Sequence, residues 1–133
     1  MQWVGFTEPP TDRLPLIPDG YVEFRTPAGI DASFVEVDLG TEEKQIWKEK
    51  ATHYHELAKS GEYARRFGQS SFRVLSLVNS LRRLQSIRAA VAEVTPKLFW
   101  FATLDDTRGE RFFASRWLRP IGNTTHPFFE QPR

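Results

Sequence analysis

FVEVDLGTEEKQIWKEKATHY, residues 34–54, opens as a buried β-strand and continues as a helix. Strand side chains alternate, so Val35, Val37 and Leu39 share one face while Phe34, Glu36 and Asp38 share the other. Gly40 breaks the strand, Thr41 is an N-cap candidate, and Glu42 and Glu43 suit the positive end of the helix dipole. The helix is expected to run to about Ser60, where Gly61 can close it. At ~100° per residue, Ile46, Trp47, Ala51, Tyr54, Leu57 and Ala58 form one apolar arc, and Lys50 falls inside it. Three charges, Glu36, Asp38 and Lys50, therefore stand where a small chain should be burying apolar surface.

Outward from this stretch, the chain reads as alternating strands and helices. The proline-rich TEPPTDRLPLIPDG suggests extended chain and turns with a short strand at Arg13–Ile17. YVEFRT (21–26) is a strand, PAGID a hairpin turn, and ASFVEVDL (32–39) a second strand. SFRVLSLV (71–78) is another strand, and Asn79 or Ser80 can cap a helix continuing to Val94. KLFWFATL (97–104) has almost no polar interruption, as a central strand should. RGERFFASRWLRP (108–120) fits a short helix or an irregular cover, and the tail with Pro127 and Pro132 fits loose order. The order β-β-β-α-β-α-β predicts an α/β fold in which a mixed sheet is flanked by helices. A single domain over 1–133 is expected, with its core in about 14–104 and a cover and tail in 105–133.

Composition narrows the class. With 11 Phe and 4 Trp the chain has ample material for a core, and zero Cys excludes disulfides, thiolate metal sites and thiol nucleophiles. No apolar run approaches the ~18 residues of a membrane span. MQWVGFTEPPTDR lacks the basic and apolar regions of an export signal, so a cytoplasmic protein with no membrane partner is expected. The net charge of +1 conceals a net of −6 over residues 1–58 and +6 over 59–88. An acidic centre beside a basic segment suits a metal-dependent enzyme acting on a polyanion, and it equally fits ordinary segregated surface charge.

Two carboxylates two residues apart on one strand face repel each other, and a hard divalent cation relieves that repulsion. Asp19, at the entrance of the neighbouring strand, is a third acid, although Pro-Asp-Gly is also a common turn. Glu23, four residues on, reads best as an exposed polar residue. Lys50 either snorkels along apolar surface or pairs with a buried carboxylate. Taken together, Asp19, Glu36 and Asp38 as metal ligands with Lys50 assisting suit metal-assisted phosphodiester hydrolysis with Mg²⁺ or Mn²⁺.

Asp19 in IPDG, Glu36 in FVEVD and the hairpin–helix–strand order resemble the PD-(D/E)xK nuclease superfamily. More closely, residues 14–104 resemble the replication-relaxation family of bacterial and mobile-element proteins, through a PDG strand, an E-x-D-x-G-T strand and a helix with K-x-x-x-Y, here Lys50 and Tyr54. The resemblance implies a restriction-endonuclease-like core and a DNA-processing role in plasmid, phage or mobile-element replication or relaxation. It places Asp19 and Glu36 on the metal. Asp38 stands where the superfamily pattern has lysine. Either Asp38 is an added ligand and Lys50 replaces the lysine from the helix, or the fold is kept for DNA or protein binding without catalysis. The usual helical N-terminal DNA-binding part has no counterpart here, which implies an isolated C-terminal module or a minimal relative. DNA is the expected partner, with a second copy of the chain and other replication or mobilisation proteins as further candidates.

The basic segment offers Arg65, Arg66, Arg82 and Arg83 as phosphate contacts, or simply a solvated helix face. His53, His55 and His126 lack the spacing of zinc ligands. Trp47, Trp100 and Trp117 read as core or cover, with base stacking an alternative for Trp117 beside Arg116 and Arg119.

Overall fold

A computed structural model describes residues 1–114 and 116–129. The architecture is a seven-stranded mixed sheet whose strands follow one another in chain order. Strands β1 (Gln2–Val4), β2 (Gly20–Thr26) and β3 (Gly29–Asp38) form an antiparallel meander. Helix α1 (Lys44–Ser60) and the short α2 (Glu62–Phe67) cross over to β4 (Arg73–Val78), which lies parallel to β3. Helix α3 (Leu81–Ala92) then crosses to β5 (Phe99–Thr103), parallel to β4, and β6 (Trp117–Leu118) and β7 (Thr125–His126) finish the sheet antiparallel. The expected mixed α/β class is observed and the expected element order roughly so, with α2, β6 and β7 as additions.

The pleat of β3 sorts the two cores. Phe34 joins Val74, Val78, Phe99 and Phe101 beneath Trp47, Ala51, Tyr54 and Leu57 of α1 and Leu84, Ile87 and Val91 of α3. Each such large apolar side chain contributes about 1.5–3 kcal/mol when removed from water. Val35, Leu75, Trp100 and Ala102 point to the opposite face, which Trp117 and Phe128 cover. Interior strands buried on both faces read as near-continuous apolar runs, and FWFA of β5 is one.

Several boundaries depart from the sequence expectations. Arg13–Ile17 is no strand and contributes only a Thr11–Leu14 bridge, since Pro15 and Pro18 remove ladder donors on both sides of Leu16. The first strand is instead β1, fully exposed and so without a burial period to reveal it. Helix α1 starts at Lys44 with Glu43 at its N-cap, making no side-chain cap bond, so Thr41 is not the cap. Gly61, at φ 79°, ends α1 in the left-handed conformation that glycine reaches without strain, and the chain turns directly into α2. Ser80 caps α3 as expected, accepting from Arg83 N at 3.2 Å. Within the tail Phe128 is fully buried, while Pro132 lies outside the described residues.

Candidate functional site

The site forms where β2 stops short and leaves the end of β3 without a strand partner on that side. Gly20 pairs with Val35, and one residue earlier Asp19 N donates to Val35 O at 3.1 Å. The Asp19 side chain then substitutes for the missing ladder, its Oδ2 accepting from Val37 N at 2.7 Å. Its Oδ1 makes no hydrogen bond among the described residues. Gly20 lets the Trp3 ring lie over the backbone, since a Cβ there would stand 2.1 Å from that ring and the exposed indole would have to shift.

Glu36 projects from β3 under α1 and is 2% exposed. Tyr54 Oη donates to its Oε2 at 2.5 Å, and Lys50 Nζ lies 3.0 Å from its Oε1. Lys50 and Tyr54 are four residues apart on α1, so one helix face presents both donors to one carboxylate. Lys50 is therefore paired rather than snorkelling. Its amine also meets both oxygens of Glu42, at 2.8 and 3.1 Å, and sits 4.8 Å from the Trp47 ring centroid.

Burial pushes the Glu36 pKa up; Lys50 and Tyr54 oppose this, nearby Asp19 reinforces it, and the net shift is upward. Burial works against the Lys50 ammonium, but the charges and hydrogen bonds of Glu36 and Glu42 outweigh it and raise its pKa. Tyr54 is pushed well up by burial and by Glu36, so it remains a protonated donor. The site thus keeps an ammonium, a neutral phenol and a desolvated carboxyl within one cluster.

Asp38 shares the face of Glu36, as the pleat requires, but its oxygens are engaged elsewhere. Oδ2 accepts from Trp47 Nε1 at 2.8 Å and Arg83 Nη2 at 3.1 Å; Oδ1 accepts from Gly40 N at 2.6 Å and Arg83 Nε at 3.3 Å. Burial would raise its pKa, yet these donors prevail and hold it below the ordinary carboxylate value. Asp38 ties α1, α3 and the β3 end together. Among the described residues, no group of three or more His, Asp or Glu is arranged to hold a metal ion. Asp19 lies near enough to Glu36 for its charge to raise the Glu36 pKa, and these two carboxylates are the candidates to hold a hard divalent cation at the open end of β3.

The basic candidates divide. Arg82 is exposed at the start of α3, whereas Arg83 is committed to Asp38. Arg65 pairs with Glu62 at 2.7 Å, and Arg66 Nε donates to Pro10 O at 3.2 Å. Arg88 is buried, holding the carbonyls of Arg119 and Gly122. Trp117 is fully buried with its Nε1 donating to Phe112 O at 2.8 Å, so it offers no face for base stacking. The pairings of Glu42 with Lys50, and of Trp47 and Arg83 with Asp38, do not follow from sequence spacing. Glu42 and Arg83 reach the cluster from outside α1, where helical periodicity carries no information.

A replication-relaxation family model matches residues 1–71. The chain belongs to the replication-relaxation family. The match covers β1 to α2 and so includes Asp19, Glu36, Asp38, Glu42, Lys50 and Tyr54, while β4, α3 and Arg83 lie beyond it. No curated protein and no solved structure matches the chain. The family description connects the chain with replication or relaxation. No helix among the described residues is long and apolar enough to cross a membrane.

Proposed function

We propose that this chain is a nuclease-like DNA-processing domain of a plasmid, phage or mobile-element replication or relaxation system, related to the PD-(D/E)xK superfamily. The observation that carries the reading is the Lys50 ammonium 3.0 Å from buried Glu36 at the strand end beside Asp19. Ordinary core packing gives no reason to desolvate an acid and an amine together, since a well-packed apolar pair is usually at least as stable. Asp19 and Glu36 are the residues that would hold Mg²⁺ or Mn²⁺, which when bound supplies Lewis acidity toward a phosphodiester. Lys50 would orient the phosphate or its attacking water and offset developing negative charge. Tyr54 fixes the rotamer of Glu36, leaving Oε1 to the Lys50 side. Asp38, in this reading, is a brace rather than a ligand, and Lys50 supplies from the helix the charge that the superfamily pattern places at Asp38. Arg82 extends the basic surface along α3 toward the DNA backbone, and a second copy of the chain would serve the opposite strand.

The four donors around Asp38 also favour a second reading, in which the fold binds DNA or a replication protein without cutting. Incubating supercoiled plasmid with Mg²⁺ or Mn²⁺ separates the two. Nicking by the wild type that is lost in Glu36→Ala supports catalysis. Retarded plasmid or duplex mobility with no Glu36-dependent nicking assigns the domain to binding alone.

A further inference from the structure

Lys50 has one carboxylate partner more than neutrality requires. Glu36 already supplies a full compensating charge from the buried side. Glu42 approaches from the solvent side, with its side chain 33% exposed, and grips the same amine with both oxygens. Two carboxylates around one ammonium repel each other, so the second is bound less firmly than the first. Nothing else retains Glu42. It makes no other side-chain hydrogen bond among the described residues, and the backbones of Thr41 and Glu42 make none either. The loop is held instead at its start, where Gly40 N donates to Asp38 and Asn79 Nδ2 donates to Leu39 O at 2.9 Å. Glu42 can therefore leave Lys50 without breaking any backbone bond. Two oxygens of one anionic group on a single amine are also what the non-bridging oxygens of a phosphodiester present.

We propose that Glu42 is a displaceable stand-in for DNA phosphate, occupying Lys50 in the free protein and yielding it to a backbone phosphodiester. The inference rests on the reading that this site addresses DNA, and it adds an intramolecular competitor that sets the affinity. The test is fluorescence anisotropy of a short labelled DNA duplex in EDTA, over a series of salt concentrations. Glu42→Gln should bind roughly fivefold more tightly than wild type, the worth of one partly exposed ion pair. Its plot of log affinity against log salt should keep the wild-type slope, because Lys50 reaches the phosphate in both forms, whereas Lys50→Met should lower that slope by about 0.9. Glu43→Gln removes the same charge one residue away, from an exposed side chain with no lysine partner among the described residues, and should change affinity less than about twofold. The double variant Glu42→Gln/Lys50→Met should lose the gain. Equal effects of Glu42→Gln and Glu43→Gln, with Lys50→Met still weakening binding, would overturn the inference and leave the DNA reading standing. Absence of duplex binding by every form, Glu42→Gln included, would overturn both.

Discussion

Replacing Asp38 with alanine should cost about 3 kcal/mol of folding stability, through loss of a brace between elements rather than loss of a ligand. The carboxylate is buried and serves the Trp47 indole, the Gly40 amide and the Arg83 guanidinium. Trp47 is fully buried, so its orphaned N–H accounts for most of the cost, about 1.5–3 kcal/mol for a hydrogen bond to a charged acceptor. Arg83 is 21% exposed and can turn to water, adding only about 1 kcal/mol or less. Asparagine keeps an oxygen for Trp47 or Gly40, and Asp38→Asn should cost about 1 kcal/mol. Urea denaturation measures both differences, with unchanged m-values showing that stability alone has moved. The pH dependence has a defined sign. The folded pKa of Asp38 is depressed, so its contribution is complete above the unfolded value of about 3.9 and is lost as pH falls through the lower folded value. The gap between wild type and Asp38→Asn should close over that acid window. An Asp38→Ala protein within about 0.5 kcal/mol of wild type would refute the brace.

Glu36 behaves in the opposite sense. Its folded pKa is raised, chiefly by burial, so ionising it costs more in the folded state than in the unfolded one, and stability falls as pH rises from the unfolded toward the folded pKa. Glu36→Gln, which keeps an acceptor for Tyr54, should be at least as stable as wild type at pH 7 by urea denaturation; a loss of more than about 2 kcal/mol would contradict this. Tyr54→Phe removes the donor to Glu36 Oε2 and should cost about 1–3 kcal/mol at pH 7, with a smaller cost in a Glu36→Gln background, as a double-mutant cycle would show. Arg82→Ala should leave stability within about 0.5 kcal/mol and lower the salt slope of duplex binding by about 0.9, whereas Arg83→Ala should lose stability by weakening Asp38.

The segment 34–54 carried most of what could be read from sequence, and its limits are instructive. Alternation along β3 placed Phe34, Glu36 and Asp38 on one face, and helical periodicity placed Lys50 among Trp47 and Tyr54. Both rest on local geometry, which a sequence encodes directly. The division of labour between Glu36 and Asp38 was not legible, because it depends on Arg83, which reaches Asp38 from α3 across 45 residues of chain. Glu42 looked like a helix-terminal acid, yet α1 starts after Glu43 and the freed side chain turns to Lys50. β1 leaves no periodic mark in the sequence, since an exposed edge strand has no buried face to impose one. The basic run over 59–88 looked uniform, but the structure uses Arg83 and Arg88 internally and leaves Arg82 on the surface.

Asp19 and Glu36, and not Asp38, are proposed to form the cation site that serves Lys50. Calorimetric titration with Mn²⁺ at neutral pH tests it most directly, comparing wild type with Asp19→Asn, Glu36→Gln and Asp38→Asn, each first shown to be folded. One bound ion is expected in wild type and Asp38→Asn, with loss of binding in Asp19→Asn and Glu36→Gln. No binding by the wild type, or binding that disappears only with Asp38→Asn, would contradict it.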